Sequence, residues 1–308
     1  MIVYSKFNLS RKPLFQIDTR INKNGNKLTS RKKAHTDESV EFLNSLYSKY
    51  KELMSNNFGF VPIKPQKISN TEIAFEYLEE PTLEYLLFSS LTNNQIEKYV
   101  ELIKEYASRV KKGSIVNSNV NSDFKKLFGN LGTNSKADCT KIGCIDINFD
   151  NVMVSKNKKF KLIDYEWTFI NTPIPYKYII FRALISFYHG FSSYNLNHYY
   201  PLKKLFKDLK ITLTEQKHFI YYEYNFQAYV QNNSFTNSTQ LQDYYKFLDQ
   251  ILIQGSSKEH VQKTSKDIIE QDHRIEKLST EIEKIKSSTT YKIWQKYCQL
   301  RNKLLKLE

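Results

Sequence analysis

The clearest alternation of apolar and polar positions lies in the middle of the chain. Val152-Met153-Val154 is a short apolar run, residues 155–159 are polar, and apolar side chains return in Phe160-Lys161-Leu162-Ile163. Two short apolar runs around a polar turn predict a β-hairpin. In simple register Val152 faces Ile163, so that Asn151 faces Asp164 at the open end of the hairpin.

The first 80 residues show the pattern of a small β-rich part. Residues 15–21 and 27–34 predict two strands, and Asn22-Lys23-Asn24-Gly25 between them is a favourable hairpin turn. A helix is predicted from Thr36 to about Met54, because Thr36-Asp37-Glu38 supplies a cap and an acidic first turn. Residues 73–81 predict a buried strand that leads into a polar connection.

The central and later parts of the chain have a mainly helical pattern. A helix is predicted from Leu83 to Leu91, and residues 187–248, rich in Tyr, Phe and Asn, predict further helices. Residues 113–138 are rich in Asn, Ser and Gly, which predicts a loop.

Oxygen-bearing side chains gather around the predicted hairpin. Asn151 and Asp164 are expected opposite each other, with Cβ atoms about 4.5–5.5 Å apart. An amide oxygen and a carboxylate at that separation can share one Mg²⁺, which takes one or two carboxylates beside phosphate oxygens. Asp146 lies five positions before Asn151, where it is placed to accept a proton from a hydroxyl. Each residue alone would suit a hairpin end, whereas the three together predict a magnesium–nucleotide site with a general base.

The spacing Asp146-x-x-x-x-Asn151, followed by a hairpin and Ile163-Asp164-Tyr165-Glu166, resembles the catalytic core of protein-kinase-like phosphotransferases, especially the aminoglycoside and choline kinases. The resemblance implies ATP and Mg²⁺ as cofactors. It implies that Asp146 positions or deprotonates the acceptor hydroxyl and that Asn151 and Asp164 hold the metal. Glu166 is a further candidate metal ligand.

The same resemblance implies an α+β, two-lobed protein-kinase-like fold. Residues 1–80 would form a small β-rich N-lobe that binds the nucleotide, and residues 81–254 a helical, catalytic C-lobe. Residues 255–308 would follow as a coiled coil and a basic amphipathic helix.

A kinase-like nucleotide site needs a lysine on the strand that ends at Ala34. Lys32 is preferred for its place in the Lys-x-Ala ending and Lys33 is the alternative, because only one of two neighbouring strand residues can point into the cleft. The expected partner of that lysine is Glu38 or Glu41 on the next helix.

In the resembled fold the strand and connection of residues 73–81 correspond to the hinge, whose backbone amides hold adenine. Glu76 and Leu78 are its candidate residues here. No Gly-x-Gly-x-x-Gly sequence is present, and residues 5–12 are the only candidate cover for the phosphates.

A narrower resemblance runs through residues 164–169, Pro173-Ile174-Pro175 and residues 178–184. These stretches are similar to the kinase part of the bacterial enzymes that cap polymannose O-antigen chains by phosphorylation and methylation. The resemblance implies a sugar hydroxyl of a surface polysaccharide or lipid-linked glycan as the acceptor. The alternative is a catalytically inactive kinase fold that acts as a scaffold of a membrane-associated glycan-synthesis complex, and the missing glycine loop favours it.

Composition and charge limit the partners and the cellular location that the sequence predicts. The net charge is +14, but the basic residues are spread along the chain and no nucleic-acid-binding module is recognisable, so nucleic acid is not a predicted partner. The three cysteines do not form a metal set. Without a signal peptide or a long apolar run, the expectation is a cytoplasmic protein, with peripheral attachment to the inner face of the cell membrane as an option.

The final segment has a pattern of its own. Apolar residues recur every seven positions, which predicts a short coiled coil and a homo-oligomer, dimer or trimer. These residues are Val261, Ile268, Ile275 and Ile282. After residue 290 an amphipathic helix rich in lysine is predicted, which is typical of segments that lie on an anionic membrane surface. A partner protein, such as a glycosyltransferase, is the alternative.

Overall fold

The computed structural model describes residues 1–56, 58–112, 114–129, 137–232 and 239–255 of the 308-residue chain. The chain divides into two units, Met1–Gln250 and Ile251–Glu308, and residues 251–255 are the described part of the second. The predicted coiled coil and basic amphipathic helix therefore lie outside the described residues.

The described chain is a mixture of short strands and helices. The strands are β1 (Ile2–Phe7), β2 (Ile17–Asn24), β3 (Lys27–Ala34), β4 (Val61–Pro62), β5 (Gln66–Lys67), β6 (Glu72–Glu76), β7 (Ser114–Ser118), β8 (Ala137–Thr140), β9 (Gly143–Cys144), β10 (Val152–Val154), β11 (Phe160–Leu162), β12 (Thr168–Phe169) and β13 (Ile174–Pro175). The helices are α1 (Ser39–Asn44), α2 (Leu46–Ser55), α3 (Leu83–Thr92), α4 (Ile96–Lys111), α5 (Ser122–Phe128), α6 (Tyr176–Gly190), α7 (Leu196–Tyr199), α8 (Leu202–Asp208), α9 (Leu213–Val230) and α10 (Thr239–Gly255). The prediction of an α+β chain with a β-rich N-terminal part and a helical remainder is confirmed.

The N-terminal part is a five-stranded antiparallel sheet in the order β1-β2-β3-β6-β5. Gly25, with φ of +56°, opens the two-residue turn that pairs Asn24 with Lys27. A glycine adopts this left-handed backbone without the clash that a Cβ would cause. The turn follows the predicted one by two residues, because β2 continues to Asn24. The helix predicted from Thr36 is divided at Ser45 into α1 and α2.

The central hairpin forms as predicted, but its register differs by one residue. Val152 pairs with Leu162 and Val154 with Phe160, so the predicted pairing of Val152 with Ile163 is wrong. The five-residue turn closes through the Ser155 N–H, which donates to Lys159 O at 3.0 Å, and this closure sets the register. Asn151 consequently lies level with Ile163, and Asp164 follows the end of the hairpin.

Helix α6 is the centre of the helical part and is buried on nearly all sides. It packs against α4, α8 and α9. The surrounding core is rich in aromatic rings, such as the stacked pair of Phe181 and Phe206 and the edge-to-face pair of Tyr178 and Phe128. Such pairs add about 0.5–1.5 kcal/mol each beyond the burial of their area.

The loop predicted for residues 113–138 is only partly correct, because the described residues there include β7, α5 and part of β8. The Asn121 side chain caps α5 by accepting the Phe124 N–H at 2.9 Å. Phe124 and Phe128 are fully buried and contact Tyr222 and Phe226 of α9. Two buried apolar residues anchor this helix, and two such positions are too few to predict a helix in a mainly polar sequence. Within the described residues, no helix has both the length and the apolar character needed to cross a membrane.

Candidate active site

A cleft of about 370 Å³ lies between the N-terminal sheet and the β10–β11 hairpin. Its walls come from β1 to β3, from the connection after β6, and from the residues on either side of the hairpin. The lining residues are Tyr4, Lys6, Asn8, Arg11, Thr19, Ile21, Ser30, Lys32, Ile63, Glu76, Tyr77, Leu78, Thr82, Asn151, Met153, Ile163, Asp164 and Glu166.

The strand alternation of β3 turns Lys32 into the cleft, where it is buried, and leaves Lys33 exposed. The Lys32 ammonium donates to Asp164 Oδ2 at 2.8 Å and to Glu166 Oε1. Burial alone would lower the pKa of Lys32, but the charges of Asp164 and Glu166 outweigh burial and raise it above its ordinary value. Lys32 is therefore a fixed cation inside the cleft, whereas Lys33 lies outside it.

The predicted partners of this lysine are wrong. Glu38 and Glu41 are exposed, and Lys32 pairs with Asp164 and Glu166 instead. Helix α2 presents a cation to the site, because the buried Lys49 ammonium donates to Glu166 O. Burial lowers the pKa of Lys49 to about 8, although the charges of Asp146 and Glu166 act in the opposite direction.

Glu166 is the most enclosed carboxylate of the cleft, with 2% of its surface exposed. Its Oε1 accepts from Lys32, and its Oε2 accepts from Arg11 Nη1 at 2.7 Å. Burial would raise the pKa of Glu166, but Lys32 and Arg11 hold it well below its usual range. Since both oxygens already face cations, Glu166 is a counter-ion in this structure, and its predicted role as a metal ligand stays a prediction.

Asn151 and Asp164 line the same cleft with oxygen atoms. Asn151 Nδ2 donates to Asp146 O at 3.0 Å, which leaves the amide oxygen as the available acceptor. Asp164 Oδ2 accepts from Lys32, and Oδ1 accepts the Glu166 N–H at 3.3 Å. One amide and one carboxylate fit Mg²⁺ that is completed by phosphate oxygens and water. The described residues contain no cluster of three or more His, Cys, Asp or Glu that would hold a metal alone.

Asp146 is buried beside the cleft, at 6% exposure, and its Oδ2 accepts the Trp167 N–H at 2.6 Å. Burial raises the pKa of Asp146 to about 7, with the charges of Asp164 and Glu166 adding to the effect. The Trp167 hydrogen bond and the charge of Arg182 act against this rise. A carboxylate whose pKa lies near neutrality suits a general base.

The connection after β6 forms part of the wall of the cleft. The strand ends at Glu76, so the sheet does not pair the backbone amides of Tyr77 and Leu78, which both line the cleft. The Leu78 side chain is buried, whereas that of Glu76 is exposed. Apolar side chains of Met153 and Ile163 lie on the hairpin side. Backbone amides that the sheet leaves unpaired and apolar side chains of the hairpin thus line the same cleft.

Three residues at or near the site were not singled out individually from the sequence, although Arg11 lies within residues 5–12, the candidate cover for the phosphates. Arg11 and Lys49 belong to polar stretches that resemble the rest of the lysine-rich chain. Asn148 has a buried side-chain oxygen for which the described residues supply no hydrogen-bond partner. It lies two positions after Asp146, and its place in that loop was the signal that could have found it.

The sequence matches no protein-family model and no curated protein. In fold it is similar to solved structures of small-molecule kinases. The aminoglycoside phosphotransferase APH(2'')-IIa, in complex with gentamicin, has a TM-score of 0.45 at 11% identity, covering 81% of this chain and 92% of that chain. The aminoglycoside phosphotransferase APH(4)-Ia has a TM-score of 0.45 at 10% identity, covering 83% and 95%. Plasmodium vivax ethanolamine kinase has a TM-score of 0.41 at 12% identity, covering 82% of both chains.

Proposed function

We propose that this protein is a kinase that transfers a phosphoryl group from ATP, with Mg²⁺, to a hydroxyl group. One observation carries the proposal: a single cleft holds Lys32, Asn151 and Asp164, and Asp146, with a pKa near 7, lies next to Asn151. These are the groups that phosphoryl transfer needs, namely a cation for the phosphates, oxygen ligands for the metal and a base for the acceptor.

The residues divide the chemistry between them. Lys32 binds phosphate oxygens, and Tyr77 and Leu78 offer backbone amides to the base. Mg²⁺ held by Asn151 and Asp164 would supply positive charge beside the transferring phosphate. Asp146 accepts the proton of the acceptor hydroxyl while the oxygen forms its bond to phosphorus and the bond to the leaving phosphate breaks.

We propose a sugar hydroxyl of a surface polysaccharide or lipid-linked glycan as the acceptor. The support is the resemblance of residues 164–169, 173–175 and 178–184 to the kinase part of the polymannose-capping enzymes. The proposed placement is peripheral at the inner face of the cell membrane, with residues 255–308 supplying self-association and attachment. Co-sedimentation with anionic liposomes, with and without residues 287–308, tests that attachment, and equal binding of both forms would contradict it.

The decisive experiment measures nucleotide binding and transfer separately. ATP with Mg²⁺ at 100 times its Kd should stabilise the protein by about 2.7 kcal/mol. Transfer of labelled phosphate to a panel of lipid-linked glycans should be lost in Asp146→Ala and Asp164→Ala and kept in Lys33→Ala, whose side chain is exposed. Transfer retained in either aspartate variant contradicts the site. Absence of both binding and transfer supports the inactive scaffold instead.

A further inference from the structure

The segment between β1 and β2, residues 8–16, contains no glycine and contributes Asn8 and Arg11 to the wall of the cleft. The segment does not connect β1 to β2 by a short hairpin turn. It crosses to the end of α9, where the Lys12 N–H donates to Val230 O at 2.9 Å and the Asn232 N–H donates to Ser10 O at 2.9 Å. Residues 8–12 are therefore tied to the helical part on the far side of the cleft.

Further contacts fix the shape of this segment. Gln16 Nε2 donates to Leu9 O at 3.2 Å and to Arg11 O at 2.8 Å. Phe15 is buried, with its ring 4.9 Å from Trp167 and 5.3 Å from Tyr229. The backbone of Arg11 is thus held by hydrogen bonds, and the aromatic contact of Phe15 with Trp167 ties the segment to the residues that follow Asp164.

The Arg11 side chain lies at the wall of the cleft. Its Nη1 donates to Glu166 Oε2 at 2.7 Å, and its guanidinium carbon lies 5.3 Å from the centre of the Trp167 ring. An arginine has five N–H donors in one plane, and with the described residues Arg11 uses the Nη1 group alone. About a fifth of the side chain, 19%, remains accessible from the cleft. Arg11, a permanent cation with donors that the described residues leave unused, therefore lines the same cleft as Lys32 and Asp164.

We propose that Arg11 binds the terminal phosphate of a nucleoside triphosphate, and that the tie to α9 holds it in place for this contact. The proposal rests on the proposed function and assigns a residue to the phosphates. A planar guanidinium matches two phosphate oxygens at once. In this role Arg11 takes the place of the backbone amides of a glycine-rich loop, because the sequence contains no such loop. Glu166 orients the guanidinium by holding one edge of it.

Calorimetric titration of the full chain with Mg²⁺ and ATP, ADP or AMP tests the assignment. In Arg11→Ala we expect about 10-fold to 100-fold weaker ATP binding, the range for lost hydrogen bonds to a charged group, and less than threefold change for AMP. Arg11→Lys keeps the charge opposite Glu166 but cannot contact two oxygens, so an intermediate loss is expected. Arg31→Ala, an arginine paired with Glu72 outside the cleft, should bind like the wild type.

Equal weakening of ATP, ADP and AMP in both Arg11 variants would overturn the inference, since it would show a structural role through Glu166. Unchanged ATP binding would overturn it directly. Tripolyphosphate with Mg²⁺ separates this inference from the proposed function: if ATP does not bind but tripolyphosphate binds and Arg11→Ala abolishes that binding, the phosphate contact stands and the nucleotide assignment fails. Binding of neither compound by the wild type overturns both.

Discussion

Replacing Glu166 by Gln should be the most destabilising single removal of charge in the cleft. Glu166 is buried and bridges Arg11 and Lys32, while Lys49 holds its backbone oxygen. Gln keeps the shape but removes the negative charge, so that the buried Lys32 and the partly exposed Arg11 lose their shared anion. Asp164, which is 29% exposed, remains as the partner of Lys32. Removing one partner of a buried ion pair costs about 3–5 kcal/mol. For a unit of this size that corresponds to a fall of roughly 6–20 °C in melting temperature.

The pH dependence of this loss has a definite sign. The pKa of Glu166 is depressed in the folded protein, whereas an unfolded Glu titrates near about 4.3. The carboxylate therefore adds stability above that pH, and the contribution is lost as pH falls towards the folded pKa. The part of the difference between wild type and Glu166→Gln that comes from the titration of Glu166 itself should be constant from about pH 6 to 8 and shrink below about pH 4.

Urea unfolding followed by circular dichroism at several pH values measures this difference. The matched controls are Glu38→Gln and Glu41→Gln, which remove exposed carboxylates from the region of α1 and should change stability by less than about 0.5 kcal/mol. A loss in Glu41→Gln or Glu38→Gln as large as that in Glu166→Gln would show that the helix supplies the partner of Lys32. A Glu166→Gln protein as stable as the wild type would refute the ion-pair argument.

Three further predictions concern the base, the buried lysine and one glycine. Asp146→Asn should lower transfer by about 10²–10⁴-fold without lowering the melting temperature at pH 8. Wild-type transfer should fall as pH drops through about 7, because protonated Asp146 cannot accept a proton. A pH–rate profile that stays flat from pH 5 to 8 would contradict this role. Lys49→Met should lower transfer, since Glu166 O loses its donor, yet it should cost little stability. Because the folded pKa of Lys49 is lowered to about 8, urea unfolding should show the wild type gaining stability relative to the variant as pH rises from 8 to about 10.4. The opposite trend would count against burial of the charged ammonium. Gly59→Ala should destabilise the protein by at least about 1–3 kcal/mol in thermal unfolding, because the added Cβ would lie 2.2 Å from Arg109 O. Gly190→Ala, whose Cβ would have no atom within 4 Å, should leave the melting temperature unchanged. Equal melting temperatures of the two variants would refute the clash.

The local pattern of the sequence predicted the elements around the site well. Alternation of apolar and polar residues located both strands of the central hairpin, and the Lys-x-Ala ending of β3 singled out Lys32 over Lys33. The register was one residue wrong because it depends on how the turn closes, and hydrogen bonds in a polar turn leave little trace in a pattern of apolar residues. Elements with strong periodicity were found, and those with two anchoring residues, such as α5, were missed.

The ion pairs of the site were beyond such reasoning for a different reason. Arg11 and Glu166 are 155 positions apart, and Lys32 and Glu166 are 134 apart. Charged residues at such separations meet only once the fold brings them together, and a chain with 46 basic residues offers many equivalent candidates. The expected partners Glu38 and Glu41 follow from the resembled fold, in which a glutamate of the next helix pairs with the lysine. In this structure that region presents Lys49 to the site instead.

The arrangement of charge gives the two buried carboxylates different tasks. Glu166 is held ionised by Lys32 and Arg11, and its charge, with that of Asp164, adds to the effect of burial in raising the pKa of Asp146. Environments that push the pKa values of neighbouring carboxylates apart separate a permanent anion from a group that can exchange a proton near neutral pH. Removal of Glu166 should therefore lower the pKa of Asp146 as well as destabilise the fold. If transfer occurs in Glu166→Gln at all, its pH–rate profile should shift to lower pH, an effect that loss of stability alone does not produce.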